Sequence, residues 1–144
     1  MSKFMGDEVM AVFRTSTPLQ SYVECALNGA VQMRDCFAEL IDEFCRRSPC
    51  MKDLGIGIGI NAGEALLGNV GSDRRSDYTV IGHPVNLAKR LCSHATSNQI
   101  LTTASTLEKA NWRIDFEFVE QVFFKGSPDA IDIFVVARQK AGSV

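Results

Sequence analysis

Two histidines in 144 residues, neither at ligand spacing from a cysteine or from the other, leave this chain poorly supplied for a structural zinc site. Five cysteines are present, an odd number, and no Cys-x-x-Cys occurs. Three of them, Cys25, Cys36 and Cys45, fall in one predicted helix, so they read as small buried or half-buried thiols in a reducing compartment, not as a disulfide framework. Basic charge is not in excess: 15 Lys and Arg stand against 17 Asp and Glu, for a net charge of −2. A nucleic-acid surface is therefore not expected. No apolar run approaches the length of a membrane span, and no apolar signal core follows Met1. The expectation is a soluble, cytoplasmic segment without membrane contact. Neither an internal repeat nor a low-complexity tract is visible.

What is present is an ordinary globular composition, 46% apolar and 22% charged, of a length that fits one domain over 1–144. The elements follow from pattern. Residues 3–13 form a hairpin about Gly6-Asp7, since Gly-Asp supplies a two-residue turn. Thr17-Pro18-Leu19-Gln20 reads as an N-cap, a first-turn proline and a capping-box residue. The helix it opens carries Val23, Ala26, Ala30, Met33, Phe37, Leu40 and Phe44 at steps of three and four, a continuous apolar stripe that ends at Ser48-Pro49.

A strand over 54–60 alternates Ile56, Ile58 and Ile60 with Gly55, Gly57 and Gly59. Three alternating glycines imply a close neighbour on their face, and tight helix-on-sheet packing is the simplest one. The chain then turns at 61–64 and returns antiparallel over 65–70. Residues 72–77 read as a charged loop and 78–81 as a short strand. Gly82-His83-Pro84 opens a helix whose buried stripe is Val85, Ala88, Leu91, Cys92 and Ala95. A strand over 99–103, a helical turn over 104–110 and a strand pair over 115–125 and 131–137 complete an α+β reading.

The segment from Asn69 to Arg90 carries the chemistry. Asn86 and Arg90 lie four apart on a helix, hence on one face. An amide and a permanent cation so placed suit a phosphoryl transition state, whose charge spreads over oxygens. With Lys3-Phe4-Met5-Gly6-Asp7, Gly57-Ile58-Gly59-Ile60-Asn61-Ala62-Gly63-Glu64 and Lys125-Gly126 in the same order and spacing, this segment resembles the class III adenylyl/guanylyl cyclase catalytic domain. The resemblance covers nearly the whole chain. It implies a ferredoxin-like antiparallel sheet with helices packed on one face, the nucleotide cyclase fold, truncated at its N-terminal end.

The activity implied is conversion of ATP to cyclic AMP and pyrophosphate, in cyclic-nucleotide signalling, assisted by two divalent ions, Mg2+ or Mn2+. Asp7 matches a metal aspartate. Read without the wider match, it is a plain turn residue. Lys3 and Thr79 match the positions that read the purine edge, and a lysine donor with a threonine hydroxyl favours adenine over guanine. Asn86 and Arg90 match the catalytic pair that orients the ribose and stabilises charge at the α-phosphate. Arg74, Arg75 and Lys125 are placed to touch the outer phosphates. The family's site lies between two subunits, so the resemblance implies a homodimer with two equivalent sites.

The pattern departs from the family's at the front. The family's first strand, with its second metal aspartate, has no counterpart before Lys3, and Asp35, Asp42, Asp73 and Asp77 sit elsewhere. The chain by itself is then expected to hold an incomplete metal site and a sheet short of one strand. The alternative function is a non-catalytic homologue that binds nucleotide or a partner cyclase. Smaller departures are His83-Pro84 at the helix start and Ser127 after Lys-Gly.

Overall fold

The computed structural model describes residues 2–14, 19–48, 53–72, 75–111, 114–125 and 127–137. The chain opens with β1 (Ser2–Met5) and β2 (Glu8–Ala11), paired antiparallel with Met5 opposite Glu8. Gly6 takes φ +67°, the left-handed conformation the tight turn requires. The hairpin expected from Gly6-Asp7 is present.

The long helix α1 (Leu19–Arg47) follows. The cap expected at Thr17-Pro18 lies outside the described residues. The predicted apolar stripe is buried only in part. Val23 and Ala30 enter a core with Ile100, Ala110 and Val136, joined by Leu27 and Val31, which the sequence reading left off the stripe, but Met33, Leu40 and Phe44 are each nearly half exposed. Geometry gives the reason. A helix of 29 residues is about 43 Å long, whereas strands of four to seven residues reach only about 13–24 Å. The C-terminal half of α1 outruns the sheet available to cover it.

The remaining elements are β3 (Ile58–Gly59), β4 (Leu66–Ser72), β5 (Arg75–Ile81), α2 (His83–His94), β6 (Ile100–Thr103), α3 (Ala104–Lys109), β7 (Phe116–Val122) and β8 (Ile131–Val136). The main sheet runs β3-β6-β8-β7, antiparallel except for the β3–β6 pair. Among the described residues, β1–β2 and β4–β5 are separate two-stranded ribbons.

Two pairings differ from the sequence reading. Residues 54–60 pair not with 65–70 but in parallel with β6, Ile58 opposite Ile100. The stretch read as a returning strand joins the stretch read as a loop in the β4–β5 ribbon, with Ser72 opposite Arg75. The cause is local. Residues 61–65 do not make a two-residue hairpin turn, because Asn61 and Ala62 are tied to α3. The wholly buried β6 takes the edge of β3 instead.

The α+β class stands, with the helices' placement corrected. Successive strand residues face opposite sides of a sheet. Ile58, Ile60 and Ile100 pack with α1, whereas Leu101 and Ile133 pack with Leu87 and Leu91 of α2. The two long helices therefore cover opposite faces, not one. The glycine alternation explains how closely α2 sits. A Cβ on Gly59 would run into Ala88 O, Cys92 N and Leu91 Cβ, and one on Gly57 would lie 3.2 Å from Ala95 O. Close packing expected from the glycines is thus present, and its partner is α2. Leu91 and Ile133 are fully buried there, each contributing about 1.5–3 kcal/mol of burial free energy.

Candidate active site

The helix α2 begins after Gly82, whose φ of +155° gives an entry that a residue with a side chain would resist. Pro84 stands in its first turn, where a missing N–H costs nothing. Leu87 and Leu91, four apart, are buried against the sheet. His83, Asn86 and Arg90 follow at steps of three and four and share the neighbouring face. The sequence therefore turns a polar stripe out of the sheet while an apolar one is held down.

That stripe borders an open groove of about 150 Å³, lined by His83, Asn86, Leu87, Arg90, Phe124, Ser127 and Ile131. Asn86 is exposed and Arg90 half-buried. The far wall is the connection from β7 to β8. Ser127 N donates to Phe124 O at 2.9 Å, closing a turn around Lys125, and Ser127 Oγ donates to Asp129 O at 2.9 Å. His94, at the end of α2, meets Glu120 at 2.8 Å and sets its ring edge-on to Phe124, 6.1 Å between centroids. Phe124 is thereby braced from behind.

The chemistry of the described lining is one-sided. Among the described residues it carries an amide, a guanidinium, an imidazole and a hydroxyl over an apolar floor, and no carboxylate. Donors of this kind receive anionic oxygens, and a planar guanidinium does so bidentately. Lys125, exposed, sits between two lining residues in sequence.

The other residues singled out from sequence lie elsewhere. Asp7 is exposed at the β1–β2 turn, Lys3 is half-buried on β1, and Thr79 is half-buried on β5 opposite Gly68. None of the three lines the groove. Arg74 lies outside the described residues, and Arg75 is described in its backbone alone, on β5. Sequence reasoning missed Phe124 and Ile131 as groove walls and gave His83 and Ser127 no role in one. The available signals were His83 three residues before Asn86, and Phe124 and Ser127 either side of the Lys-Gly pair.

The β1–β2 ribbon reaches α2 through Glu8 and Lys89, 3.4 Å apart. Both are partly exposed, so the pair adds little stability. Cys92, also on α2, donates its thiol to Gly57 O at 3.3 Å, just ahead of β3. Burial pushes that thiol above the usual range, and the Glu8 carboxylate adds to the rise, while the Gly59 backbone and Lys89 pull the other way.

Mg2+ or Mn2+ demands several hard oxygen ligands. Among the described residues no three His, Cys, Asp or Glu side chains converge, and Asp7 stands as a single carboxylate at a hairpin tip. The described residues of one protomer do not make up a site for either ion.

The family model described as the adenylate and guanylate cyclase catalytic domain matches residues 2–138. The adenylyl cyclase CyaB from P. aeruginosa shares the fold at a TM-score of 0.89 and 31% identity, over 97% of this chain and 72% of that one. The guanylyl cyclase Cya2 does so at 0.81 and 35%, over 94% of this chain and 68% of that one. Among curated relatives, uncharacterized protein MT1361 of Mycobacterium tuberculosis is 32% identical over the full length of this chain. Uncharacterized protein Rv1320c of the same species is 38% identical over 79% of it. The chain spans about a fifth to a quarter of the length of these relatives.

Proposed function

The chain belongs to the adenylate and guanylate cyclase catalytic domain family, and from that premise we propose that residues 1–144 act as one adenylate cyclase domain, taking ATP to cyclic AMP and pyrophosphate. The observation that carries the proposal is the groove of α2, where Asn86 and Arg90 are turned outward together and the described lining residues include no carboxylate. Substrate phosphates meet no like charge from those residues. The Asn86 amide orients the ribose, and the Arg90 guanidinium meets charge that builds on the α-phosphate as its bond to pyrophosphate breaks. Lys125, Arg74 and Arg75 are assigned to the outer phosphates, and Lys3 with Thr79 to the adenine edge. A lysine N–H and a hydroxyl acceptor complement adenine's N1 and exocyclic amine.

Partnership supports the same reading. Asp7 belongs to a ribbon outside the groove, so the groove of one protomer is joined to acidic ligands only if a second copy brings them. We assign the active form as a homodimer with two equivalent sites. The family's chemistry uses divalent metal, which the described residues of one protomer do not house. Among the described residues no helix is long and apolar enough to cross a membrane. A cytoplasmic setting follows from the ATP requirement and from the free thiols of Cys25, Cys36, Cys45 and Cys92.

The deciding assay is product formation from ATP and from GTP with Mn2+, for the full chain and for Arg90→Ala. Cyclic AMP from the parent, falling about 100-fold or more in the variant, is expected, since a lost transition-state donor costs about 3 kcal/mol. Cyclic GMP as the main product would overturn the assignment of Lys3 and Thr79. A second reading is favoured by the solitary Asp7: a non-catalytic homologue that binds nucleotide or a partner cyclase. A raised melting temperature with ATP and no product from either nucleotide would select it.

A further inference from the structure

Asn61 ends the run beneath α2 and does not line the groove. Its side chain is nevertheless committed at both ends. Oδ1 accepts from Thr103 Oγ1 at 3.1 Å and from Thr106 Oγ1 at 3.3 Å, while Nδ2 donates to Pro84 O at 3.3 Å. Thr103 and Thr106 are almost wholly buried. The backbone beside Asn61 is fixed as well: Ala62 N donates to Thr106 Oγ1 at 3.0 Å, and Ala62 O accepts from Lys109 Nζ at 2.9 Å. Next in the chain, Gly63 lies so close under Pro84 that a Cβ would come within 2.5 Å of the proline Cγ.

Three successive residues thus seat the first turn of α2 on α3 and β6. Pro84 is two residues before Asn86 and six before Arg90, so any shift of that turn is carried along the helix to both. We infer that Asn61 is the positioning residue that sets the register of the Asn86–Arg90 pair, acting through the Pro84 carbonyl; this rests on the proposed reading of that pair as nucleotide contacts. The residue type is demanding. The amide accepts from two hydroxyls at its oxygen and donates to a carbonyl from its nitrogen, two separate atoms where a serine or threonine would offer a single hydroxyl oxygen. An aspartate keeps the acceptors, loses the donor and sets a negative oxygen against the Pro84 carbonyl.

The test is Asn61→Asp in the full chain, read in two ways. Amide hydrogen exchange over residues 85–90 is expected to quicken about tenfold, with α1 and β8 unchanged. In the cyclase assay kcat should fall about tenfold with KM for ATP within about twofold, the pattern of an interaction felt in the transition state. Unchanged exchange over 85–90, or loosening spread evenly through all elements, overturns the inference. Should Asn61→Asp not fold, Thr106→Val, which removes at equal size the hydroxyl that holds both Asn61 Oδ1 and Ala62 N, must show the same localised pattern, and failure to do so overturns it equally. A parent chain that forms no cyclic nucleotide sinks the proposed function instead, and the exchange arm still decides whether Asn61 seats α2.

Discussion

Arg90 and Lys89 are adjacent, yet one lines the groove and the other reaches Glu8 on β2. Helical geometry separates them by about 100°, and the same geometry unites Asn86 with Arg90, which is why their shared face was legible from spacing alone, whereas the role proposed for them came from the family resemblance. Phe124 was not, because its approach to the groove depends on a turn closed by Ser127 and on the edge-on ring of His94. Cys92 gives a pH prediction. Its raised thiol pKa means that the folded chain keeps a proton which the unfolded chain gives up first as pH rises. Stability should be insensitive to this group below the ordinary thiol range and decline as pH climbs through and past it. Cys92→Ala should flatten that alkaline decline in melting temperature measured against pH. At neutral pH, iodoacetamide should modify exposed Cys25 and Cys36 well before Cys92 in the native protein. Equal rates at all three would contradict the burial argument.

Between elements, glycine is the deciding residue. The alternation over 54–60 announced a close neighbour, and the neighbour is α2, whose backbone lies against Gly57 and Gly59. Gly59→Ala puts a methyl against helix backbone, which cannot swing aside as a side chain tip can. We expect destabilisation of about 1–3 kcal/mol, as overpacking typically costs, together with loss of cyclase activity because α2 is pushed off its seat. Gly68→Ala is the control: nothing lies within 4 Å of the added Cβ, so its denaturation midpoint should match the parent's closely. A Gly59→Ala protein as stable as Gly68→Ala would contradict close seating. The mistaken pairing of 54–60 with 65–70 belongs to this scale too. Both stretches have strand character, and period-two patterns identify strands without naming their partners. The choice came from the polar ties at Asn61 and Ala62, between residues more than forty positions apart.

For the molecule as a whole, the two ribbons matter most. A two-stranded ribbon is marginal by itself, and these expose large apolar side chains: Phe4 is 79% exposed and Leu66 80%. Open strand edges and apolar surface together favour association. If the homodimer is the active form, specific activity should fall as the protein is diluted through its dissociation constant and recover on concentration. Activity strictly proportional to protein at every dilution would refute the shared site. Local pattern was enough for the class of fold, the order of its elements, the turn at Gly6-Asp7 and the shared face of Asn86 and Arg90, because dihedral preference, glycine and helical period act within a few residues. Which face each helix covers, which strand β3 joins, how far α1 is buried and which side chains close the groove depended on the folded chain. Those outcomes are settled by contacts distant in sequence, where volume, hydrogen-bond satisfaction and sheet length compete, and no short window of residues records who wins.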